Sequence, residues 1–266
     1  MGFELGPVAR ARGVGLVVFG AIPSTNDEAK ALALAGERGP LWVVAARQTA
    51  GRGRLGRSWI SSPGNLHASL ILSGAFRPEV APQLGFVAGV ALLQALAAAA
   101  PGAAFALKWP NDLLLERAKL GGILVEGANG SGGFAVVVGI GVNCASAPEG
   151  LPYPARALSS LGPAAPSAGD VLTRLSDAFT LLLDIWAEGS GFAEIRRLWL
   201  GGAAGLGETV RLSLAGGEEA LGRFEGLDAG GRLILRSEAG ERVIDAGDVF
   251  LAHGEAGVLE PSGKNS

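Results

Sequence analysis

The chain has 266 residues, 48% of them hydrophobic, and a formal net charge of -3 at pH 7. This length allows a large core together with a small second domain, and the acidic balance argues against a general nucleic-acid-binding protein. A single cysteine, Cys144, and two histidines, His67 and His253, exclude a disulfide framework, provide no zinc ligand set and indicate a cytosolic protein.

Regular elements are predicted along most of the chain, from helical or alternating spacing of apolar residues. The most apolar stretch, 84–100, contains Gln94 and has a proline at each end, which indicates a buried helix and not a membrane span. The N-terminus lacks the apolar core of a secretory signal. Helices are predicted at 27–35, 84–100, 170–186 and 192–200, and strands at 15–19, 42–47, 66–72, 105–109, 112–115, 122–126 and 134–142.

Residues that can cap helices precede two of these patterns. Ser24 or Thr25 is expected to cap the first helix, and Asp170 the third. Residues 146–169 are rich in Pro, Ala, Ser and Gly and read as a connector.

The pattern changes after Gly201-Gly202 to short alternating strands separated by Gly and Asp turns. We therefore predict an α+β protein, with a mixed central sheet packed by helices and a small C-terminal β-barrel. The strands are predicted at 210–214, 221–225, 232–236 and 242–245, and the domains at 1–203 and 204–253, followed by a disordered tail at 254–266.

Residues 51–57 read Gly-Arg-Gly-Arg-Leu-Gly-Arg, and Trp59 follows shortly after. Each arginine offers a rigid fork of donors for phosphate or carboxylate oxygens, and the glycines let main-chain N–H groups approach a ligand closely. The segment therefore predicts a loop that binds a small anion. Because its like charges repel, we expect it to be mobile until a ligand neutralises them. A solvated basic turn and an RNA-binding segment are the alternatives.

Several common nucleotide and hydrolase motifs are absent from the sequence. There is no Gly-x-x-x-x-Gly-Lys-Ser/Thr loop, and Gly139-Ile140-Gly141 lacks the third glycine of a dinucleotide fingerprint. Neither a Gly-x-Ser-x-Gly elbow nor a His-Glu-x-x-His helix occurs. A phosphate site in this chain is therefore of another kind.

Four polar clusters lie at the ends of predicted strands, and only their combination is specific. Their order and spacing resemble those of the biotin protein ligases, from about Ser24 to Asn143, while the C-terminal strands match that family's last domain more loosely. The four are Ser24-Thr25-Asn26, Gln48 with residues 51–57, Lys108-Trp109-Pro110-Asn111-Asp112, and Lys119-Leu120-Gly121-Gly122-Ile123-Leu124.

The resemblance implies a fold and a reaction. The fold is a class II synthetase-like biotin/lipoate ligase domain with a C-terminal SH3-like β-barrel. The reaction uses ATP and Mg²⁺ to form biotinyl-5'-AMP with release of pyrophosphate, and then moves biotin to one lysine of a biotin carboxyl carrier protein of acetyl-CoA carboxylase or a related carboxylase. A cytoplasmic ligase without a membrane segment is implied, and a homodimer through an exposed sheet edge is left open.

Some members of the family also carry an N-terminal helix-turn-helix that binds DNA. The segment before Ser24 is too short for such a domain, so we expect a ligase that does not bind DNA.

The resemblance also assigns site residues, with Lys119, Arg52 and Arg54 in the catalytic roles. The biotin site is implied to contain Ser24, Thr25, Asn26, Gln48, Gly51, Arg52, Gly53, Arg54, Lys119 and Gly122. The ATP site is implied to contain Arg52, Arg54, Arg57, Trp59, Lys108, Asn111, Lys119 and Asn143.

Elementary chemistry supports part of this assignment. A fixed ammonium at Lys119 lowers the repulsion between a carboxylate and a phosphate that must react. Asp112 is the candidate Mg²⁺ ligand, through water, with a simple turn residue as the alternative. Lys108 is expected to pair with phosphate or with Asp112. Ser24 and Thr25 can equally be plain helix caps.

Three further features are expected to be less specific. Gly139 and Gly141 either leave room for a ligand or allow close packing. His67 is expected to be buried and neutral, and Cys144 to be a core thiol.

Two other functions compete with biotin ligation. A lipoate or octanoate ligase or transferase shares the fold, although its usual motifs differ from those present. An RNA-binding module would use the Arg/Gly segment and the terminal strands, but the acidic balance and the lack of interleaved aromatic residues argue against it.

Overall fold

The computed structural model describes residues 2–74, 76–130 and 133–251, so the predicted tail at 254–266 and His253 lie outside the described residues. The helices within those ranges are α1 (Pro7–Ala11), α2 (Thr25–Leu34), α3 (Gln83–Ala99), α4 (Ala168–Trp186) and α5 (Phe192–Gly201). The strands are β1 (Gly15–Ile22), β2 (Leu41–Gln48), β3 (Leu66–Ser73), β4 (Phe105–Lys108), β5 (Asp112–Leu115), β6 (Ala118–Gly130), β7 (Gly133–Val142), β8 (Thr209–Ser213), β9 (Glu219–Leu227), β10 (Leu233–Ser237), β11 (Gly240–Ile244) and β12 (Asp248–Leu251).

A seven-stranded mixed sheet forms the centre of the molecule, in the order β1-β2-β3-β7-β6-β5-β4. Only the β1–β2 pair is parallel, because α2 carries the chain back between these two strands. Strands β2, β3 and β7 are largely apolar and are buried on both faces over most of their length, since helices cover both sides of the sheet there. The predicted α+β class with a mixed central sheet is confirmed.

The two faces of the sheet have different covers. Helices α3 and α4 pack on one face and bury the larger cluster, which includes Trp42, Leu70 and Phe179. Helix α2 covers the other face over a smaller cluster around Val43, Ile71 and Val137. Because α2 is short, part of this second face stays open at the end where β2 and β6 carry polar residues.

The helix predictions hold, with one correction to a cap. Helix α4 begins after Ser167, whose Oγ accepts from Asp170 N at 3.2 Å, while the Asp170 carboxylate accepts from Ser167 N at 2.9 Å. Asp170 is therefore the third residue of a capping box and not the cap itself. Ser24 caps α2, accepting from Asp27 N at 3.4 Å. Among the described residues, no helix is long and apolar enough to cross a membrane.

The C-terminal strands form one antiparallel sheet in the order β11-β10-β9-β8-β12. Strand β12 has no counterpart among the predicted strands, because its sequence, Asp248-Val249-Phe250-Leu251, does not alternate between polar and apolar residues. The edge strands β11 and β12 are not hydrogen-bonded to each other within the described part of the chain. The predicted barrel is therefore corrected to an open five-stranded sheet over the described residues.

This sheet packs against one end of the central sheet. Trp109 Nε1 donates to Gly231 O at 3.1 Å, and Lys108 Nζ donates to Val249 O at 3.3 Å. The main chain of Leu107 pairs with the segment that enters the C-terminal sheet, through its N–H to Gly202 O at 2.8 Å and its carbonyl from Ala204 N at 2.7 Å. These bonds bring β12 to the open part of the central sheet.

Candidate functional site

A cleft opens between the start of α2, the end of β2, the loop at 51–57, strands β5 to β7 and β12. Its empty volume is ≈ 780 Å³, open solvent included, which lies in the range of small-molecule sites, roughly 300–1,000 Å³. Most of the predicted site residues line it: Ser24, Thr25, Asn26, Gln48, Arg52, Gly53, Arg54, Arg57, Trp59, Asn111, Asp112, Lys119 and Gly122. Gly51, Lys108 and Asn143 do not.

Small uncharged polar groups occupy one end of the cleft. Helix α2 starts there because Ser24 is extended and caps it, which leaves Thr25 in the first turn with its N–H free of a helical partner. Gln48, at the end of β2, supplies that partner through Oε1, 2.8 Å from Thr25 N and 3.1 Å from Thr25 Oγ1. Its Nε2 donates to Ser61 Oγ at 3.0 Å. The orientation of the Gln48 amide is thereby fixed.

Asn26 lies beneath this group and is 5% exposed. Its Nδ2 donates to Glu126 Oε2 at 2.7 Å, and its Oδ1 accepts from Ser69 Oγ at 2.6 Å. A Cβ at Gly139 would lie 2.1 Å from Asn26 Oδ1, so the missing side chain makes room for Asn26 at a position that also lines the cleft. Both polar atoms of the Asn26 amide are therefore used within the protein.

The loop at 51–57 is a tight turn with an internal ladder. Residues Arg52 and Ser58 form an antiparallel bridge, and Gly53 N donates to Arg57 O at 2.7 Å. Leu55 has a φ of 56° and Gly56 a φ of 71°, which reverse the chain at the tip. Gly51 does not line the cleft, but a Cβ there would lie 2.8 Å from Trp59 O, so this glycine allows the loop to close on itself.

Each arginine of the loop has a protein partner. Arg52 makes a bidentate pair with Asp27 in the first turn of α2, and Arg57 pairs with Asp248 at the start of β12. Arg54 Nη1 donates to Asn111 Oδ1 at 3.1 Å and lies 3.9 Å from Asp248. Arg52 and Arg57 are thus already neutralised without a ligand, contrary to the premise of the mobility prediction, and the mobility of the loop itself stays a prediction.

These pairs alter the titration of the groups involved. The hydrogen bonds from Arg52 hold the pKa of Asp27 below its usual value. The hydrogen bond to Asp248 raises the pKa of Arg57 further above the physiological range. Asp27 and Asp248 occupy Arg52 and Arg57 as an anionic ligand would.

Asp112 and two lysines form a compact ionic group on the opposite wall. Lys119 Nζ lies 2.6 Å from Asp112 Oδ1, and Lys108 Nζ lies 2.9 Å from Asp112 Oδ2. Burial raises the pKa of Asp112, but the two ammonium groups outweigh it and keep the pKa below its usual value. One carboxylate thus serves two cations, and the group carries one net positive charge. The predicted pairing of Lys108 with Asp112 is confirmed.

Metal ligands are sparse around this group. Within the ranges that the structure describes, no three His, Cys, Asp or Glu residues are grouped so that they could hold a metal ion. Both oxygens of Asp112 already accept from lysines. These residues alone do not build a metal site.

Trp59 separates the cleft from a second, smaller cavity of ≈ 370 Å³. Its ring fills the space above Gly141, where a Cβ would lie 2.6 Å from the indole. Trp59 Nε1 is buried and has no hydrogen-bond partner among the described residues. Lys119 lines both cavities, and Tyr153 stands beside it with its ring centroid 5.4 Å from Nζ.

Asn143, which lies outside the main cleft, lines this second cavity. Its Nδ2 donates to Arg156 O at 3.2 Å, so it ties β7 to the connector. His67 is 1% exposed, and burial lowers its pKa, as expected for a neutral histidine. Burial raises the pKa of the Cys144 thiol to about 12, which agrees with a core role.

Sequence reasoning missed several residues of the site. Asp27 directly follows the predicted motif at 24–26, and Glu126 lies two residues after the predicted motif at 119–124. The sequence therefore indicated both positions weakly. Ser61, Ser69 and Tyr153 reach the site only because of how strands and connector cross. Asp248 comes from the C-terminal sheet, far along the chain, and no sequence pattern indicates it.

The cleft lining combines neutral and charged groups. Neutral donors and acceptors lie at the start of α2, where Arg52 is also held by Asp27, and Arg54, Arg57 and Lys119 supply positive charge from the loop at 51–57 and from β6. Such a site suits a ligand with an uncharged polar head and a carboxylate tail, brought next to a second anion such as a phosphate.

Comparisons with known proteins identify the family of the chain. Residues 18–143 match the biotin/lipoate A/B protein ligase family, and residues 205–252 match the biotin protein ligase C terminal domain. The chain is 44% identical over 239 residues to a biotin–[acetyl-CoA-carboxylase] ligase of Paracoccus denitrificans, covering 86% of this chain and 97% of that protein. It is 35% identical over 234 residues to the ligase of the same name from Mycobacterium tuberculosis, covering 85% of each.

A solved structure is similar over nearly the same length. The biotin protein ligase from Aquifex aeolicus, in complex with biotin and ATP, superposes with a TM-score of 0.75 at 29% identity. The match covers 89% of this chain and 97% of that protein.

Proposed function

Because the chain belongs to the biotin/lipoate A/B protein ligase family, we propose how its cleft carries out ATP-dependent biotinylation of a carboxylase carrier protein. The chain is a biotin protein ligase, and its alternatives, a lipoate ligase and an RNA-binding module, are not favoured by relatives named for biotin. The observation that carries the mechanism is that Arg52, Arg54 and Lys119 line the same cleft as the neutral polar groups at the start of α2.

The neutral end is the proposed site for the ureido ring of biotin. That ring presents one carbonyl oxygen and two N–H groups, and it needs both donors and acceptors in return. Ser24 has a hydroxyl hydrogen, Gln48 retains one amide hydrogen beyond its bond to Ser61, and Thr25 has an oxygen that can accept. Asn26 supports these groups from behind, since its own amide is engaged.

The charged end is the proposed site of chemistry. A carboxylate oxygen of biotin attacks the α-phosphorus of ATP, the bond from that phosphorus to the bridging oxygen breaks, and pyrophosphate leaves. Both reactants are anions, so their approach is unfavourable without fixed positive charge. Lys119 is proposed to lie between them and to stabilise the charge that develops at phosphorus.

The second half-reaction consumes the adenylate. The amine of a carrier lysine attacks the acyl carbon of biotinyl-5'-AMP, the carbon–oxygen bond to AMP breaks, and the amine loses its proton. The departing AMP lies beside Arg54 and the ionic group formed by Asp112, Lys108 and Lys119. These cations stabilise its phosphate as an anion.

The loop arginines are proposed to exchange partners when substrates bind. Arg52 leaves Asp27, and Arg54 with Arg57 leaves Asp248, in favour of carboxylate or phosphate oxygens. Trp59 Nε1 is an unused buried donor between the two cavities and is proposed to bind a ligand oxygen. The smaller cavity, with Asn143 and Tyr153, is proposed for the nucleoside part of ATP.

Magnesium is proposed to arrive with ATP, since the described residues do not build a metal site of their own. When bound, the ion would neutralise phosphate charge. Asp112 would hold it through water, which requires Lys108 or Lys119 to release one of its oxygens.

The domain limits, the protein substrate and the location are proposed on the same basis. Residues 1–203 are proposed as the catalytic domain and 204–253 as the C-terminal domain. The carrier of acetyl-CoA carboxylase or a related carboxylase is the proposed protein substrate, and the cytoplasm, where ATP and such carriers occur, is the proposed location. The outer edge of β1, which pairs only with β2 among the described strands, is the candidate surface for a homodimer.

Isotope exchange between pyrophosphate and ATP tests the function. We expect exchange that requires biotin and is not driven by lipoate, followed by transfer of labelled biotin to a carrier domain. Exchange driven by lipoate alone would overturn the substrate assignment. No exchange with either acid would overturn the adenylation mechanism.

A further inference from the structure

A continuous set of hydrogen bonds runs behind the neutral end of the cleft. It starts at an ion pair away from the ligand surface, where Lys30 Nζ lies 2.8 Å from Glu126 Oε1. It then passes from side chain to side chain toward the groups that face the cleft. Its members, in order, are Lys30, Glu126, Asn26, Ser69, Thr25, Gln48 and Ser61.

The ion pair between Lys30 and Glu126 fixes the direction of the hydrogen bond between Glu126 and Asn26. An ionised carboxylate can only accept, so the Asn26 atom 2.7 Å from Glu126 Oε2 must be the amide nitrogen. Burial raises the pKa of Glu126, but the hydrogen bonds from Lys30 and Asn26 outweigh it and keep the carboxylate ionised at neutral pH. With its nitrogen toward Glu126, Asn26 must present its oxygen to Ser69.

Ser69 has one hydrogen and two neighbouring acceptors. Asn26 Oδ1 lies 2.6 Å from Ser69 Oγ, and Thr25 Oγ1 lies 2.8 Å away. Because Asn26 presents an oxygen and not an N–H, it can only take the Ser69 hydrogen. The oxygen of Thr25 is then left without a donor from Ser69, and its lone pairs remain available to a ligand N–H.

We propose that Glu126, which does not line the cleft, is a positioning residue that keeps the Thr25 oxygen free to accept from biotin by holding Asn26 in one orientation. This inference rests on the proposed placement of the ureido ring at Thr25. Glu126 acts through Asn26 and Ser69, at the distance of three hydrogen bonds from Thr25.

Glu126→Gln weakens the constraint without changing the size of the side chain, and only the long 3.5 Å hydrogen bond from Asn26 Nδ2 to Leu124 O then favours the original orientation. The amide that this substitution introduces can donate, so Asn26 can turn its oxygen toward it and its N–H toward Ser69. Ser69 must then donate to Thr25, which competes with the ligand. We expect the KM for biotin in pyrophosphate exchange to rise about tenfold, the effect of one hydrogen bond of about 1.4 kcal/mol, with a much smaller change in the KM for ATP.

Exchanging the two groups should restore binding. In the double variant Asn26→Asp/Glu126→Gln, the carboxylate now stands at position 26 and is an obligatory acceptor, so Ser69 donates to it again and Thr25 is released. The KM for biotin should return to within about twofold of the wild-type value. A double variant as impaired as Glu126→Gln would overturn the proposal.

Ser69→Ala tests the route of transmission. In this background Glu126→Gln should raise the KM for biotin by less than about twofold, because the hydroxyl that passes on the change is gone. A full tenfold rise in the Ser69→Ala background would also overturn it. Glu219→Gln, which removes a carboxylate paired with Arg211 in the C-terminal sheet, is the matched control.

Folding and function are separated by two measurements. Thermal unfolding identifies a variant that fails to fold, in which case the comparison between the wild type and the double variant carries the test. If the wild-type protein shows no biotin-dependent exchange, the proposed function itself is overturned. A wild type that exchanges, beside a folded Glu126→Gln with an unchanged KM for biotin, would sink only this inference.

Discussion

Lys119 lies in a tightly constrained ionic environment. Its ammonium is 2.6 Å from Asp112 and its side chain is 22% exposed, in a strand whose neighbours Gly121 and Gly122 carry no side chains. Its pairing with a carboxylate shared by Lys108 leaves the group with surplus positive charge. That surplus is what two approaching anions require.

Lys119→Ala should therefore impair adenylate formation while leaving the fold intact. We expect pyrophosphate exchange to fall about 100-fold or more, the usual cost of losing one group that stabilises a developing charge. Arg197→Ala, which removes an exposed cation paired with Glu194 on α5, is the matched control. A wild-type rate in Lys119→Ala would remove this residue from the mechanism.

A second prediction about a single residue concerns His67 and the dependence of the free energy of unfolding on pH. Burial lowers its pKa from 6.5, and its Nδ1 has no partner among the described residues. Below pH 6.5 the unfolded chain takes up a proton that the folded protein does not, so the free energy of unfolding falls as pH falls. The contribution is at most about 1.4 kcal/mol per pH unit.

His67→Leu should remove this dependence. Urea unfolding at about pH 7 and about pH 5.5, on either side of the ordinary histidine pKa, measures it. The wild type should lose more stability between the two conditions than the variant does. Equal losses in both proteins would show that His67 is not the group responsible.

At the scale of elements, the start of α4 depends on one reciprocal pair. Ser167 and Asp170 satisfy each other's backbone N–H groups at the beginning of the longest described helix. Because α4 packs on α3 and β3, its first turn is tied to the main core.

Ser167→Ala should lower the free energy of unfolding by about 1 kcal/mol, the typical cost of losing a helix cap. Urea denaturation gives the value. Ser190→Ala, whose hydroxyl bonds to Ala187 O in an exposed turn and caps no helix, serves for comparison. A difference below experimental error between the two variants would contradict the capping role.

At the scale of the whole molecule, the C-terminal sheet takes part in the cleft. Asp248 at the start of β12 pairs with Arg57, and Trp109 of the Lys-Trp-Pro-Asn-Asp motif bonds to Gly231 between β9 and β10. The motif therefore joins two sheets as well as lining a site. Through the pair between Asp248 and Arg57, the C-terminal sheet can affect the conformation of the loop at 51–57.

Asp248→Asn should loosen that loop before any ligand binds. Because a partly exposed ion pair contributes about 1 kcal/mol or less, tryptic cleavage after Arg54 and Arg57 should rise by no more than about fivefold. Asp245→Asn, on the same sheet and 3.5 Å from Arg232, controls for general loosening. Biotin with ATP should protect both proteins. Identical cleavage of the two variants without ligand would rule out a role for Asp248.

The sequence predicts local elements and motifs better than it predicts the contacts between them. The strand–helix–strand order around β1, α2 and β2 follows from local spacing, and so do the motifs that end at the cleft. Strand β12 lacks the alternation that predicted the other C-terminal strands, and the cap of α4 lies at Ser167 and not at the predicted Asp170. The contacts that determine such strands and caps are not indicated by a local sequence pattern.

The sequence by itself determined the family and the reaction, because the order of its motifs resembles that of known biotin protein ligases. It also determined most of the residues that line the cleft, because they lie in short runs whose spacing is set by local backbone geometry. Only the tertiary structure decided their partners. The pairing of Arg52 with Asp27, of Arg57 with Asp248 and of Asn26 with Glu126 joins residues distant in the chain. Charge compensation and hydrogen-bond direction depend on distances in space, and chain folding alone sets those distances.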